Sequence, residues 1–187
     1  MLDSPADASP AALAERTTLE ALLRCCVREV AAPRGRVWPA EPYLLLEVGG
    51  ALIRARACGG LALRFDGRPE WLDQGVWRPL TAERLVAAVE AELSAGGPGN
   101  DEFAAQVASS RQALEAIVRE RETAVPPTDP WLASEQALVF GHPFHPSPKA
   151  RGGAGEWTRY APETHARFPL RLLAVREDLV AGAGATG

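Results

Sequence analysis

The sequence predicts an α+β protein in which helices and a small antiparallel sheet occupy separate stretches of the chain. Two observations support this class. Apolar residues recur at three- and four-residue steps before residue 33 and again between residues 81 and 118, which is typical of amphipathic helices. Between these stretches, residues 43–78 contain short apolar runs separated by glycine-containing turns, which is typical of strands.

Length and composition exclude several classes of protein. The chain has 187 residues, of which 47% are apolar and 24% charged, and its formal net charge is −4. This composition is typical of a globular protein, and without a basic excess we expect no nucleic-acid partner. No apolar run is long enough to cross a membrane, and the acidic N-terminus does not resemble a secretory signal, so we expect no membrane partner. The odd number of cysteines, with Cys25 next to Cys26, favours reduced thiols and a cytoplasmic location.

The first helix is predicted to begin at Pro10 with Ser9 as its N-cap, because a proline at the first helical position lacks only an N–H that would be unpaired there. We expect this helix to end before Pro33. Cys25 and Cys26 are predicted to be small buried residues of the helix. The apolar face consists of Leu19, Leu22, Leu23, Cys26, Val27 and Val30.

Four strands are predicted for the central stretch. Residues 43–48 and 51–57 flank a pair of glycines at 49–50, and glycine reaches the positive φ of a tight hairpin turn without steric cost. A third strand is predicted at residues 61–65, closed by a turn at Asp66 and Gly67, and a fourth at residues 75–78. These strands should form a small antiparallel sheet.

Two longer helices follow the strands. Thr81 is predicted to cap a helix that ends in the glycine-rich residues 96–99, and Asn100 is predicted to cap the next helix. The buried stripes are expected to contain Leu85, Val86, Val89 and Leu93 in the first helix, and Phe103, Val107, Leu114, Ile117 and Val118 in the second.

The proline-rich residues 126–130 predict a boundary between a first unit, residues 1–125, and a second unit, residues 126–187. The second unit should open with a short helix that is capped by Asp129 and stops at Gly141. Residues 170–175 are predicted to form a strand.

The stretch from residue 141 to residue 153, G-H-P-F-H-P-S-P-K-A-R-G-G, contains most of the candidate chemistry. Its prolines predict a stiff, polyproline-like loop on which His142 and His145 point the same way, about 9 Å apart. Together with Lys149, the single lysine of the chain, and Arg151, the imidazoles form a cationic cluster suited to a phosphate or a polycarboxylate. The alternative is a rigid surface loop whose charges are only solvated.

Three other interpretations have less support. Imidazoles about 9 Å apart do not easily share one zinc ion, so no metal site is predicted. The glycines of residues 182–187 match G-x-G-x-x-G without the helix that a dinucleotide site needs, and we interpret the match as chance. The chain has no G-x-S-x-G nucleophile elbow, so a serine hydrolase is not favoured.

The region around this loop resembles the N-terminal signature of the IucA/IucC-type siderophore synthetases, which act independently of nonribosomal peptide synthesis. The resemblance rests on S-E-Q at residues 134–136, on G-H-P-x-H-P-x-x-K-x-R at residues 141–151, on Y-x-P-E at residues 160–163 and on F-P-L at residues 168–170. The long middle pattern is unusual, so the resemblance is specific.

The resemblance implies a role in siderophore biosynthesis and a two-part α+β fold. Residues 1–125 would form a thumb-like region, and residues 126–187 the incomplete start of a fingers-like region. Family members use ATP and Mg²⁺ to adenylate a carboxylate such as citrate or a succinyl derivative, and then condense it with an amine, a hydroxamate-bearing amine or an alcohol. The residues implied at the nucleotide and carboxylate side are Ser134, His142, His145, Lys149 and Arg151.

Family members are far longer than this chain, so the resemblance covers their N-terminal portion only. We therefore expect a truncated synthetase that is inactive as an isolated chain. The alternative is a non-catalytic module that forms a homo-oligomer or docks on an intact synthetase, and a third hypothesis is a small metal-binding protein that uses the histidines.

Overall fold

A five-stranded antiparallel sheet with helices packed against one of its faces forms the core of the protein in a computed structural model. The structure describes residues 9–59, 63–95, 100, 102–151, 160–165 and 167–179. The predicted α+β class is confirmed within these residues. None of the helices described combines the length and the hydropathy that a bilayer-spanning segment requires.

Helix α1 spans Pro10–Cys25 and begins as predicted, because the Ser9 side-chain oxygen accepts a hydrogen bond of 3.2 Å from the N–H of Ala12. The helical path continues through a π-helical turn at Cys26–Ala31 and a 3-10 turn at Ala32–Arg34. The α-helical and π-helical parts therefore end before Pro33, as predicted.

The sheet has the strand order β1-β2-β3-β4-β5, and each strand pairs with its neighbours in antiparallel fashion. Two predicted strands are confirmed closely, as β2 and β3, and the strand predicted at residues 75–78 corresponds to β5. The bounds are β1 Val37–Ala40, β2 Tyr43–Val48, β3 Ala51–Gly59, β4 Arg64–Asp73 and β5 Val76–Pro79.

Two parts of the sheet differ from the prediction. Strand β1 was not predicted because Pro39 interrupts its pattern, but proline is compatible with a strand at the edge of a sheet. The turn predicted at Asp66 and Gly67 is wrong, since β4 runs through both residues. Between the pairs Arg54–Glu70 and Arg56–Asp66 the register shifts, so the turn-like residues form a bulge that keeps the strand in the sheet. Residues 61 and 62 lie outside the described part of the chain.

The β2–β3 turn lies directly against a helix. Gly49 and Gly50 have φ values of 54° and 72°, as a tight hairpin turn requires. A Cβ atom at Gly49 would overlap the carbonyl oxygen of Ala88, so glycine is required there for close packing as well as for its conformation.

Three further helices complete the fold: α2 at Ala82–Ser94, α3 at Phe103–Arg121 and α4 at Pro130–Gln136. Two predicted caps are confirmed: Thr81 accepts from the N–H of Arg84, and Asp129 from those of Trp131 and Leu132. The cap predicted at Asn100 is wrong, because α3 begins three residues later and its N-cap is Glu102. The Asn100 side chain accepts from the N–H of Glu102, before the helix starts. Helix α4 stops at Gln136 rather than at Gly141, because residues 137–141 turn away. The predicted end of α2 at residues 96–99 lies outside the described residues.

The core lies between the sheet and α1, α2 and α3. Most predicted apolar positions are buried, including both adjacent cysteines, although Leu93 is 48% exposed. The largest fully buried side chains are Leu22, Leu23, Leu46, Ile53, Leu80, Leu85, Leu114 and Ile117. Removing such side chains from water is the main stabilising term of the fold.

The other face of the sheet is held by a cation–π stack. The Arg54 guanidinium lies 4.7 Å from the centre of the Tyr43 ring and 4.3 Å from that of the Trp77 ring, and it pairs with Glu70 at 2.7 Å. Arg56 lies 5.7 Å from the Tyr43 ring centre. These contacts join β2, β3, β4 and β5.

The strand predicted at residues 170–175 is wrong. These residues have no regular secondary structure and pair with no described strand, and Leu172 is 92% exposed. An extended run becomes a strand only when a neighbouring backbone pairs with its polar groups. The boundary at residues 126–130, with its units 1–125 and 126–187, stays a prediction.

Candidate functional site

Helix α3 holds the loop of residues 141–151 through a buried contact near the middle of the helix. The Ser110 side chain is fully buried, and its oxygen accepts a hydrogen bond of 3.0 Å from the backbone N–H of Lys149. Arg121 lies eleven residues later, about three helical turns, and therefore on the same face of α3.

Arg121 supplies the second contact. Its guanidinium donates to the carbonyl oxygen of Gln136 at 2.9 Å and lies 3.1 Å from Nε2 of His165. Because a guanidinium only donates, Nε2 of His165 accepts and the ring carries its proton on Nδ1. Helix α3 thus holds both α4 and the residues that follow the loop.

The loop consists of two turns, so the predicted polyproline-like conformation is wrong. The carbonyl of His142 accepts from the N–H of His145 at 3.2 Å, and that of Ser147 accepts from the N–H of Ala150 at 3.1 Å. In each turn a proline follows the first residue, the position where its fixed φ favours a β-turn. Pro143 and Pro148 therefore each occupy the second position of a β-turn, and the hydrogen bonds identify these turns.

The two imidazoles have the same local arrangement. Nδ1 of His142 accepts from the N–H of Phe144 at 3.2 Å, and Nδ1 of His145 accepts from the N–H of Ser147 at 3.1 Å. In the neutral ring the proton then lies on Nε2, which leaves an N–H donor on each exposed imidazole. The Phe144 ring, next to both, lies 5.2 Å from the Arg28 guanidinium of the π-helical turn.

Lys149 does not extend into solvent. Its side chain and that of Glu163 are each only 6% exposed, and the ammonium group pairs with Oε1 of Glu163 and donates to the Leu138 carbonyl at 2.5 Å. Glu163 lies in a 3-10 turn at Pro162–Thr164. Its other oxygen, Oε2, accepts no hydrogen bond from the described residues and lies 3.9 Å from the guanidinium of Arg151.

An open cleft of about 600 Å³ lies between the loop and α3, within the size range of ligand sites. The helix contributes residues spaced by one turn, and the loop contributes a guanidinium and an imidazole. The lining residues are Glu102, Ala105, Gln106, Ser109, His145, Ser147, Ala150 and Arg151.

The five predicted site residues occupy three environments. His145 and Arg151 line the cleft together. Ser134 is exposed on α4 and His142 is exposed at the start of the loop, and neither lines the cleft, whereas Lys149 is buried. Their roles toward a ligand stay predictions.

Sequence reasoning missed two residues of the site. Glu163 belongs to the Y-x-P-E pattern, so the sequence marked it without indicating its partner. Ser110 had no signal, because one serine in an amphipathic helix resembles any other small residue. Within the described residues, no three His, Cys, Asp or Glu side chains form a group that could hold a metal ion.

A second cavity, of about 310 Å³, lies between α1 and the bulged part of β4. It contains none of the predicted site residues. Its lining includes Glu15, Arg16, Glu20, Phe65, Asp66 and Arg68.

Residues 130–186 match the family described as the IucA / IucC family. Over 179 residues the chain is 32% identical to the rhizobactin siderophore biosynthesis protein RhbC of Rhizobium meliloti, an alignment that covers 87% of this chain and 30% of RhbC. It is 48% identical over 54 residues to the L-2,3-diaminopropanoate–citrate ligase of Staphylococcus aureus, covering 28% of this chain and 9% of the ligase.

Solved structures show the same fold. The aerobactin synthetase IucA from Klebsiella pneumoniae matches with a TM-score of 0.61 at 23% identity, over 84% of this chain and 31% of that chain. The ATP-bound form of that synthetase matches with a TM-score of 0.57 at 22% identity, over 79% of this chain and 29% of that chain. The chain therefore spans less than a third of the length of the proteins that it resembles.

Proposed function

Because this chain is an IucA/IucC-type sequence, we propose that it forms one wall of the nucleotide and carboxylate site of a siderophore synthetase. The observation that carries the proposal is the cleft in which His145 and Arg151 lie together. Both residues belong to the segment that matches the family. The substrates would be a carboxylate such as citrate and an amine, hydroxamate-bearing amine or alcohol acceptor.

The chemistry of the cleft suits a carboxylate or a phosphate. The guanidinium of Arg151 presents parallel N–H groups that match two oxygens of either anion. Nε2–H of His145 adds a neutral donor whose direction is fixed by the hydrogen bond at Nδ1. Donors held in place before a ligand arrives stabilise developing negative charge without reorganising.

ATP, when bound, would supply the adenylyl group that activates the carboxylate, with pyrophosphate as the leaving group. In this proposal His145 and Arg151 hold anionic oxygens of the bound substrates. Glu102 is the one carboxylate among the lining residues, and Mg²⁺ sites combine one or two carboxylates with phosphate oxygens and water. Glu102 is therefore the residue of the cleft that would hold Mg²⁺ when the ion enters with ATP.

The chain spans 30% of RhbC and 31% of IucA. In this proposal, catalysis also needs groups equivalent to those in the rest of the relatives. We therefore expect the isolated chain to bind ligand weakly and to show no citrate-dependent exchange of pyrophosphate into ATP. Exchange by the isolated chain would overturn this division of the site.

Binding is tested by titrating citrate, and separately Mg·ATP, into ¹⁵N-labelled protein. We expect the amide signals of residues 145–151 and of the cleft face of α3 to shift, and Arg151→Gln to weaken binding about tenfold. Arg119→Gln is the matched control, since Arg119 lies on α3 outside the cleft and pairs with Glu115. If neither ligand shifts these signals, or if both act at the cavity beside α1, the proposed function is wrong.

The docking alternative is favoured by one observation. Residues 170–175 display Leu170, Leu172, Leu173 and Val175 with at least 62% of each side chain exposed. Contiguous exposed apolar groups of this kind mark surfaces that bind other proteins. A homo-oligomer or an intact synthetase could cover them, and such docking does not require a functional cleft.

A further inference from the structure

The four basic residues of the loop, His142, His145, Lys149 and Arg151, do not have equal roles in the structure. We propose that Lys149 is a positioning residue, an inference that rests on the proposed function. Its ammonium group does not touch the bound anion. Together with Glu163 and Ser110, Lys149 holds Arg151 and His145 at the cleft. The resemblance alone would place Lys149 among the ligand-binding groups, so this assigns a different role to the single lysine of the chain.

Burial and bonding argue against direct contact with a ligand. The Lys149 side chain is 6% exposed and is not part of the cleft lining. Its ammonium group already pairs with the Glu163 carboxylate and donates a hydrogen bond to the Leu138 carbonyl. Moving it toward a ligand would leave Glu163 as an uncompensated buried carboxylate. Breaking a buried pair by removing one partner is strongly destabilising, so the pair should stay intact when ligand binds.

The contacts of Lys149 connect all parts of the site. Its backbone N–H donates to Ser110 on α3. Its side chain lies close to Gly141: a Cβ atom added to that glycine would be 3.4 Å from Cε of Lys149 and 2.7 Å from Cβ of Pro148. It lies inside the turn of residues 147–150 and two residues before Arg151. Loss of its side chain would therefore release the loop from Leu138 and Glu163, while the backbone bond to Ser110 would stay.

Charge balance gives the same assignment. Glu163 is 5% exposed and neutralises the ammonium group of Lys149 through Oε1. Its unbonded oxygen, Oε2, lies 3.9 Å from the Arg151 guanidinium, which is 43% exposed. At this distance Glu163 makes no hydrogen bond to Arg151, so the guanidinium keeps its donors free for an anion in the cleft.

The decisive comparison is between single and double variants. Lys149→Met should weaken citrate binding about tenfold, because Glu163 is left unpaired. The double variant Lys149→Met with Glu163→Leu removes both charges and fills similar volume, so citrate affinity should return to nearly the wild-type value. If the double variant keeps the wild-type Tm and still binds citrate as weakly as Lys149→Met, the ammonium group touches the ligand and the proposal is overturned.

Ser110→Ala provides a second route that leaves every charge in place. It removes the acceptor for the Lys149 N–H, so we expect citrate affinity to fall by about fivefold. Ser94→Ala is the matched control, since Ser94 is an exposed serine at the end of α2 and lines neither cavity. Unchanged affinity in Ser110→Ala would overturn the positioning role.

A measurement without ligand tests the positioning role of Lys149 independently of the proposed function. The ¹⁵N imidazole spectrum of the wild type should show His145 as the Nε2–H tautomer with Nδ1 hydrogen-bonded. Lys149→Met should remove this signature, and the double variant should restore it. If the signature is restored but no variant binds citrate, the proposed function fails while the positioning role holds; if Lys149→Met leaves the spectrum unchanged, the positioning role fails.

Discussion

The adjacent thiols of Cys25 and Cys26 show how burial sets the chemistry of single residues. Burial, reinforced by the charge of Glu29, raises the pKa of Cys25 to about 11. Burial also raises the pKa of Cys26 to about 12. Cys58, by contrast, is exposed on β3, and none of the three forms a disulfide.

We predict that only Cys58 reacts quickly with a thiol reagent in the folded protein. The thiolate is the nucleophile, and at pH 8 the raised pKa values leave almost no thiolate at Cys25 or Cys26. Ellman's reagent should therefore report one fast thiol in native protein and three after denaturation in guanidinium. The control is Cys58→Ser, which should remove the fast phase; a remaining fast thiol in that variant would contradict the prediction.

At the residue scale, the sequence predicted caps far better than ion-pair partners. Ser9, Thr81 and Asp129 cap helices through neighbours two or three residues away, so local pattern was sufficient. The partner of Lys149 is fourteen residues along the chain and is selected by how two loops pack on α3. The residue types indicated an anion site, but they did not indicate which cation is neutralised internally.

At the scale of elements, Glu92 joins α2 to the β1–β2–β3 meander. Its Oε1 pairs with Arg36, and its Oε2 accepts from the N–H of Gly49 at 2.9 Å, while Arg34 lies 3.3 Å away. The hydrogen bond from Arg36, followed by that from Gly49, lowers the pKa of Glu92 below its usual value. The same pair raises the pKa of Arg36.

This contact predicts an acid-sensitive link between helix and sheet. Because the folded protein lowers the pKa of Glu92, the stabilisation is present above the ordinary glutamate pKa of about 4.3 and is lost as pH falls through the lower folded value. We expect Glu92→Gln to lower Tm by a few degrees at pH 7. The difference from wild type should shrink progressively below about pH 4 in melts followed by circular dichroism.

Glu47→Gln is the matched control for this experiment. Glu47 lies 3.9 Å from the same Arg36 and its side chain is 44% exposed, so its removal should change Tm little at any pH. A Glu92→Gln difference that stays constant from pH 7 to pH 3 would contradict the prediction, because ionisation of the carboxylate would then not be responsible for it.

The sequence patterns predicted a strand or loop correctly where its residues favour a single conformation. The prediction was wrong where the same residues are compatible with two conformations. The β2–β3 hairpin was predicted because two short apolar runs and the glycine pair between them indicate the same structure. Strand β4 was misjudged because Asp66 and Gly67 are as typical of a turn as of a bulge, and the choice depends on pairing with β3. The loop of residues 141–151 was misjudged because proline favours both extended segments and turns.

At the scale of the whole molecule, α3 is shared between the core and the candidate site. Val107, Leu114 and Ile117 are buried, and Val107 belongs to the main core cluster. Ser110 and Arg121 of the same helix hold the loop and the residues beyond it. The sequence could not predict this coupling, because no periodicity indicates that one helix serves two sets of contacts.

This coupling predicts a pattern of amide exchange across the molecule. The N–H of Lys149 is bonded to a fully buried serine, so it should exchange as slowly as amides in the middle of α3. The N–H groups of residues 170–175 have no backbone partner among the described residues and should exchange near the unprotected rate. Hydrogen exchange followed by NMR measures both sets together.

Two outcomes of that measurement decide how the parts are linked. Ser110→Ala should accelerate exchange at Lys149 about fivefold, the loss expected for one hydrogen bond of about 1 kcal/mol, and leave β2 and β3 unchanged. Equal acceleration in those strands would mean that the loop and the core open as one unit. Protection at residues 170–175 that grows with protein concentration would instead support docking, since pairing between copies would then supply the partners that the described fold does not.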